Sequence, residues 1–136
     1  MIAQLAIGTI VIVLNAIVQG EMFAAFSRRM EKTMLILRHR LHRFANTGAI
    51  VLGVLFVMLV LSVQVWIWAG AFLLVGAFDA LEPALYFSLV AYSTVGFGDI
   101  TLGHEWRLLS GLTAANGFLS FGWSTAHMVE LVRRTA

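Results

Sequence analysis

The chain contains no cysteine, a single proline and few charged side chains: nine Lys and Arg with seven Asp and Glu, 12% of 136 residues. Without cysteine there is no disulfide framework, no thiolate metal site and no cysteine nucleophile. A soluble domain carries about 25% charged residues, and half that supply is too little to cover a globular surface. With 60% hydrophobic residues the chain is no disordered segment either. Its net charge of +2 is too small to point to a nucleic acid partner. The length allows one small domain, so any larger machine is built by oligomerisation. A membrane protein is what remains.

Three stretches lack Asp, Glu, Lys and Arg for long enough to cross about 30 Å of hydrocarbon, which takes about 20 helical residues. They are 2–19, 44–78 and 108–129. The first has no basic leader and no small-residue cleavage site, and Glu21 follows it, so it reads as a membrane helix and not as a signal peptide. Arg28, Arg29, Lys32, Arg38, Arg40 and Arg43 lie between the first two stretches, and Arg133 and Arg134 end the chain. Asp79, Glu82, Asp99 and Glu105 lie between the second and third. The positive-inside rule then places the connector and the C-terminus in the cytoplasm, with the N-terminus and the 79–105 loop outside. Trp66, Trp68 and Trp106 fall toward the outer helix ends, where an aromatic belt is expected.

Within the connector Phe23, Phe26, Met30, Met34, Leu37, Leu41 and Phe44 recur at helical spacing. This predicts a basic amphipathic helix at the inner interface, with Arg28, Arg29, Lys32, Arg40 and Arg43 facing anionic lipid head groups. A cytoplasmic helix packing with its copies in a bundle uses the same spacing and is the alternative.

The loop at 79–105 carries the chemistry. Asp79 and Glu82-Pro83 signal a helix start, and residues 84–93 read as a buried, uncharged helix. From 82 to 93 the helix covers about 18 Å; five extended residues then return the chain by about 16 Å. Such a re-entrant loop is tolerated at membrane depth only where it is buried in protein or lines a water-filled path.

The segment that follows, Thr94-Val95-Gly96-Phe97-Gly98-Asp99, resembles the selectivity filter of the potassium channels, with phenylalanine in the place of the usual tyrosine. Tyr86-Phe87 stand where that family has an aromatic pair on its pore helix. Trp106-Arg107 open the inner helix, and the stretch from Gly117 to Gly122 resembles its hinge region. Phe121 and Thr125 match cavity-lining positions, and the basic connector looks like the slide helix of inward-rectifier relatives. Val90 departs from relatives that carry an acid there to partner the filter aspartate, leaving Asp99 to pore-helix or neighbouring-subunit donors.

The resemblance implies an all-α membrane protein: three transmembrane helices, a re-entrant pore helix and a filter, assembled as a tetrameric pore. The expected organisation is a membrane helix at 1–20, the amphipathic helix at 21–47 and a pore domain at 48–132. Within the last, the outer helix is 48–78, the pore helix 82–93, the filter 94–99 and the inner helix 105–132. K+ would bind at Thr94, Val95, Gly96 and Phe97, with Gly98 completing the row and Asp99, Tyr86 and Phe87 supporting it. No cofactor and no enzymatic activity are implied, and the setting is the plasma membrane.

Physical chemistry supports the same residues. Carbonyl oxygens replace the water of a dehydrated cation without a fixed charge that would trap it. Carbonyls that point to one side need a backbone alternating between left- and right-handed conformations, which glycine adopts freely; Gly96 and Gly98 alternate as required. One loop fills a quarter of a ring, so a homotetramer is expected. Gly117 and Gly122 are either bending points or close-packing positions. Asn116 is expected to bond to a neighbouring helix, and His127 to be a satisfied interfacial histidine. Glu130 is placed to pair with Arg133 or Arg134. No helix carries the repeated arginines of a voltage sensor, and no ligand-binding domain follows the inner helix.

Two other readings use the same residues. One is a channel-fold protein that is weakly selective or serves as a silent subunit. The other takes Gly96 to Asp99 as the GxGD signature of intramembrane aspartyl proteases, with Asp79 as second carboxylate.

Overall fold

The computed structural model describes the backbone of residues 1–40 and 45–135 and the side chains of 1–30 and 46–134. Four helices make up the fold: α1 (Ile2–Arg40), α2 (Ala45–Leu74), α3 (Leu81–Tyr92) and α4 (Arg107–Thr135). α2 lies against every other helix, and α1 and α3 each lie against α4; among the described residues the α1 and α3 backbones do not approach each other.

Side-chain pairings give the helix directions. Gln4 meets Leu108, Gly8 meets Leu112, Gln19 meets Ser120 and Phe23 meets His127, so α1 and α4 run parallel. Gln19 meets Gln64 and Phe23 meets Phe56, so α2 runs antiparallel to α1. Gly53 against Met128 and Leu131 sets the same relation between α2 and α4. The bundle therefore sorts its charge. Arg28, Arg29, Arg133 and Arg134 gather at one end, and Asp79, Glu82, Asp99 and Glu105, with Arg107, at the other.

α1 differs from its sequence expectation. It runs unbroken for 39 residues, with no interruption near residue 20. At 1.5 Å per residue it is about 58 Å long, nearly twice the hydrocarbon thickness. Its buried side chains, Gln4, Val11, Asn15, Gln19, Phe23 and Met30, form one stripe. Phe23, Phe26 and Met30, expected to face lipid, continue that stripe instead. Phe23 stacks on His127 at 4.2 Å and Phe26 on Phe56 at 4.1 Å, while Met30 packs with Ala49 and Leu131. Phe56 and His127 offer flat partners that a lipid surface lacks, so these three pack against α2 and α4 of their own chain. Arg28 and Arg29 are exposed beside them. The side chains of Lys32, Arg40 and Arg43, and of Met34, Leu37, Leu41 and Phe44, lie outside the described residues.

α2 carries a second correction. Trp66 is exposed, as a belt residue is, but Trp68 is fully buried against Phe72. Two residues apart, they lie on opposite sides of a helix, so only one can face outward. Trp106 is half-buried against the core.

Among the described residues two helices are long and apolar enough to cross a membrane, Ile2–Met30 and Asn46–Leu74. α4 falls short because its buried side is polar: Thr113, Asn116, Ser120 and Ser124.

Candidate functional site

α3 starts at the acidic end of the bundle. Ala80 occupies the N-cap without a side-chain cap bond, Glu82 lies in the first turn beside the helix's positive end, and Pro83 falls where an N–H has no intrahelical partner. The aromatic pair divides its work. Phe87 is buried between Phe72 at 5.2 Å and Phe78 at 5.3 Å, which seats α3 on α2. Tyr86 points the other way and donates from its hydroxyl to an Asp99 carboxylate oxygen at 2.7 Å.

Between these contacts lies the hexapeptide. After α3 the Thr94 N–H donates to the Ala91 carbonyl at 3.0 Å and the Gly96 N–H to that of Val90 at 3.3 Å, tying the return segment to the last helical turn. Thr94, Gly96 and Gly98 have φ of +61°, +57° and +76°. Val95 and Phe97 between them are not in the positive-φ region, so the backbone alternates into and out of it through five positions. The glycines occupy that region freely. Thr94 does not: a β-branched residue there is strained, and such strain persists only where the surroundings over-determine it. The segment is exposed on the single chain, Phe97 to 70%.

Asp99 has found its pore-helix donor in Tyr86, whose hydrogen bond holds the carboxyl below the usual carboxylate range. Desolvation opposes this, and the Asp99 and Ile100 backbone N–H groups add to the lowering. Because the folded value is depressed, the stabilisation is complete above the unfolded value of about 3.9 and is lost as pH falls through the folded one. Tyr86→Phe is expected to raise the Asp99 midpoint toward 3.9 in an NMR titration of the carboxyl. An unchanged midpoint would mean that the bond does not form in solution.

The remaining expected residues lie on α4. Gly117 is a packing position: a Cβ there would stand 1.8 Å from the Tyr92 carbonyl oxygen. Gly122 has nothing within 4 Å of its Cβ position. Phe121 is exposed, with its ring 5.9 Å from that of Tyr92, and Thr125 donates to the Phe121 carbonyl at 2.9 Å. Near the basic end Arg134 pairs with Glu130 at 2.8 Å. Asn116 is buried, but its Nδ2 finds no hydrogen-bond partner among the described residues; the same is true of both amide atoms of Asn15 and of the Trp68 indole N–H.

A polar cluster behind the hexapeptide was not anticipated. The Gln64 Nε2 donates to Gln19 Oε1 at 2.8 Å, and Gln64 Oε1 accepts from the Tyr92 hydroxyl and from Ser120 Oγ at 2.8 Å. Gln19 Nε2 donates to the Ser120 carbonyl at 3.1 Å and to Ser124 Oγ at 3.2 Å. All four helices contribute, and all five side chains are buried. The available signal was Gln19, with Gln4 and Asn15, in the first span and Gln64 in the second, since polar side chains inside a membrane are seldom idle.

Two antiparallel helices long and apolar enough to cross a membrane, a short third helix and an exposed return segment of alternating backbone make an all-helical membrane-type fold. Residues 58–134, more than half of the chain, match the family model described as ion channel. The chain belongs to that ion channel family. Comparisons with curated proteins and with solved structures give no match.

Proposed function

We propose that this chain is the subunit of a homotetrameric, potassium-selective channel that conducts K+ passively. The alternating φ from Thr94 to Gly98 carries the reading, because it is the backbone geometry that aims successive carbonyls to one side. In the proposed tetramer Thr94, Val95, Gly96 and Phe97 offer their carbonyls, and Thr94 its hydroxyl, in place of the ion's hydration shell. Gly98 completes the turn outward, and Asp99, Tyr86 and Phe87 hold the segment. Phe121 and Thr125 face the cavity below, and Gly122 is the bending point on the inner helix.

In this reading α1, α2 and α4 all span the plasma membrane. The N-terminus lies outside and the C-terminus in the cytoplasm, supported by the gathering of Arg28, Arg29, Arg133 and Arg134 at one end of the bundle. Arg28, Arg29, Lys32, Arg40 and Arg43 then meet anionic lipid on the inner leaflet. The protease reading loses its footing: Asp79 and Asp99 are both exposed at the acidic end, and the Asp99 carboxylate is engaged by Tyr86. A weakly selective channel is the rival, favoured by Phe97, which lacks the tyrosine hydroxyl.

The test is the reversal potential of the purified protein in planar bilayers with K+ on one side and Na+ on the other. A selective filter gives a value near the K+ equilibrium potential. Clear current reversing near 0 mV would leave the fold intact and reject potassium selectivity.

A further inference from the structure

We propose that Tyr92 is a positioning residue for the filter, held through Gln64 by Gln19, so that α1 is a working part of the pore and not an added anchor. This rests on the reading of 94–98 as a potassium filter. Tyr92 is the last residue of α3 and lies two positions before Thr94, where the strained left-handed backbone begins. It is fixed at two points. Its hydroxyl donates to Gln64 on α2, and its carbonyl lies against the Cα of Gly117 on α4, closely enough to leave no room for a methyl group. These two contacts set the path of the chain into Thr94, which supplies the over-determination that a β-branched residue at positive φ needs.

Gln64 cannot do this alone. Its Oε1 can receive both Tyr92 and Ser120 only if the amide is turned with Nε2 the other way, and there Gln19 Oε1 accepts it. Gln19 is oriented in turn by donating to α4 at Ser120 and Ser124. The chain of donors thus has one consistent direction, and removing Gln19 leaves a buried Gln64 amide free to turn over. Among the described residues the α1 and α3 backbones do not approach each other, and this network is a direct side-chain link by which α1 reaches the filter.

The experiment measures bi-ionic K+/Na+ reversal potentials for the reconstituted full chain and three variants. Tyr92→Phe keeps the ring and loses the hydroxyl; the K+/Na+ permeability ratio is expected to fall roughly fivefold, the weight of one hydrogen bond. At 59 mV per decade for a monovalent ion this is a shift of about 40 mV. Gln19→Leu, on a helix remote from the filter, should shift the potential in the same direction by a smaller amount. Gln4→Leu breaks an α1–α4 hydrogen bond outside this network, the one it accepts from the Leu108 N–H, and should leave the potential unchanged. A helix that only stabilises would lose heat resistance in both α1 variants and selectivity in neither.

Selective wild-type current with unshifted Tyr92→Phe and Gln19→Leu channels would overturn the proposal while sparing the filter reading. Wild-type current that reverses near 0 mV would remove the filter reading itself. For a variant that assembles but stays closed, the ratio of K+ to Na+ concentrations that protect the tetramer from heat dissociation reports the same selectivity. No change in that ratio for Tyr92→Phe would overturn the proposal equally.

Discussion

Gly117→Ala is expected to abolish assembly of a conducting channel. The added methyl carbon would sit 1.8 Å from the Tyr92 carbonyl oxygen and 2.8 Å from its carbon, and the obstacle is backbone, which cannot swing aside as a side-chain tip can. To restore a normal contact of about 3.5 Å, α4 must retreat by roughly 1.5 Å or the end of α3 must move. Either response disturbs the segment that begins at Thr94. Overpacking costs about 1–3 kcal/mol where side chains yield; with a rigid obstacle the cost lies at the top of that range or beyond it, and the proposed tetramer would incur it in every subunit. Size-exclusion chromatography with light scattering should show loss of the oligomer, and any channel that survives should reverse closer to 0 mV. Wild-type assembly and wild-type selectivity would mean that α3 and α4 do not meet there.

Gly122→Ala provides the contrast on the same helix. Its Cβ position is open, and alanine favours a helix over glycine by about 1 kcal/mol. Assembly should therefore survive, and any change in opening would belong to bending alone. Spacing by itself could not separate Gly117 from Gly122, because both are small residues on one uncharged helix. What separates them is the identity of the neighbour, a backbone carbonyl at one and open space at the other.

The same distinction explains what could be read in advance. The hexapeptide, the uncharged helix before it and the proline near its start are local signals, and α3 with its return segment follows from them to within a residue or two. Positions decided by a partner on another helix were not legible. Trp68 and Trp66 look alike in sequence, yet the face of α2 that carries Trp68 is packed into the core and the face that carries Trp66 is not. Phe23, Phe26 and Met30 form an apolar stripe whether lipid or protein faces them, and only the placement of Phe56 and His127 decides. Gln19 and Gln64 are 45 residues apart, and nothing in either span names the other as its partner. The break expected near residue 20 rested on the arrival of charge at Glu21 and Arg28. Charge marks where a helix leaves the hydrocarbon, not where it ends, and α1 continues through both.

Gly96→Ala is expected to keep the fold and lose selective current by roughly a hundredfold or more. Holding a residue with a Cβ in the left-handed region costs about 1–2 kcal/mol, or about 4–8 kcal/mol over the four subunits of the proposed tetramer, at 1.4 kcal/mol per decade. Space is not the difficulty, since nothing lies within 4 Å of the added carbon on the single chain; the difficulty is φ of +57°. The backbone can relieve the strain by returning to negative φ, but then the alternation through 94–98 is broken and carbonyls in the row turn away from the ion. Gly76→Ala is the matched control. It lies in the turn after α2 at φ of +70°, also with an open Cβ position, and carries the same backbone cost where no ion passes. It should lower heat resistance about as much as Gly96→Ala while leaving the reversal potential where it was. If both variants reduced selectivity alike, general strain would be acting. If only Gly96→Ala did, the direction of one carbonyl would be the cause, because the two substitutions share everything else.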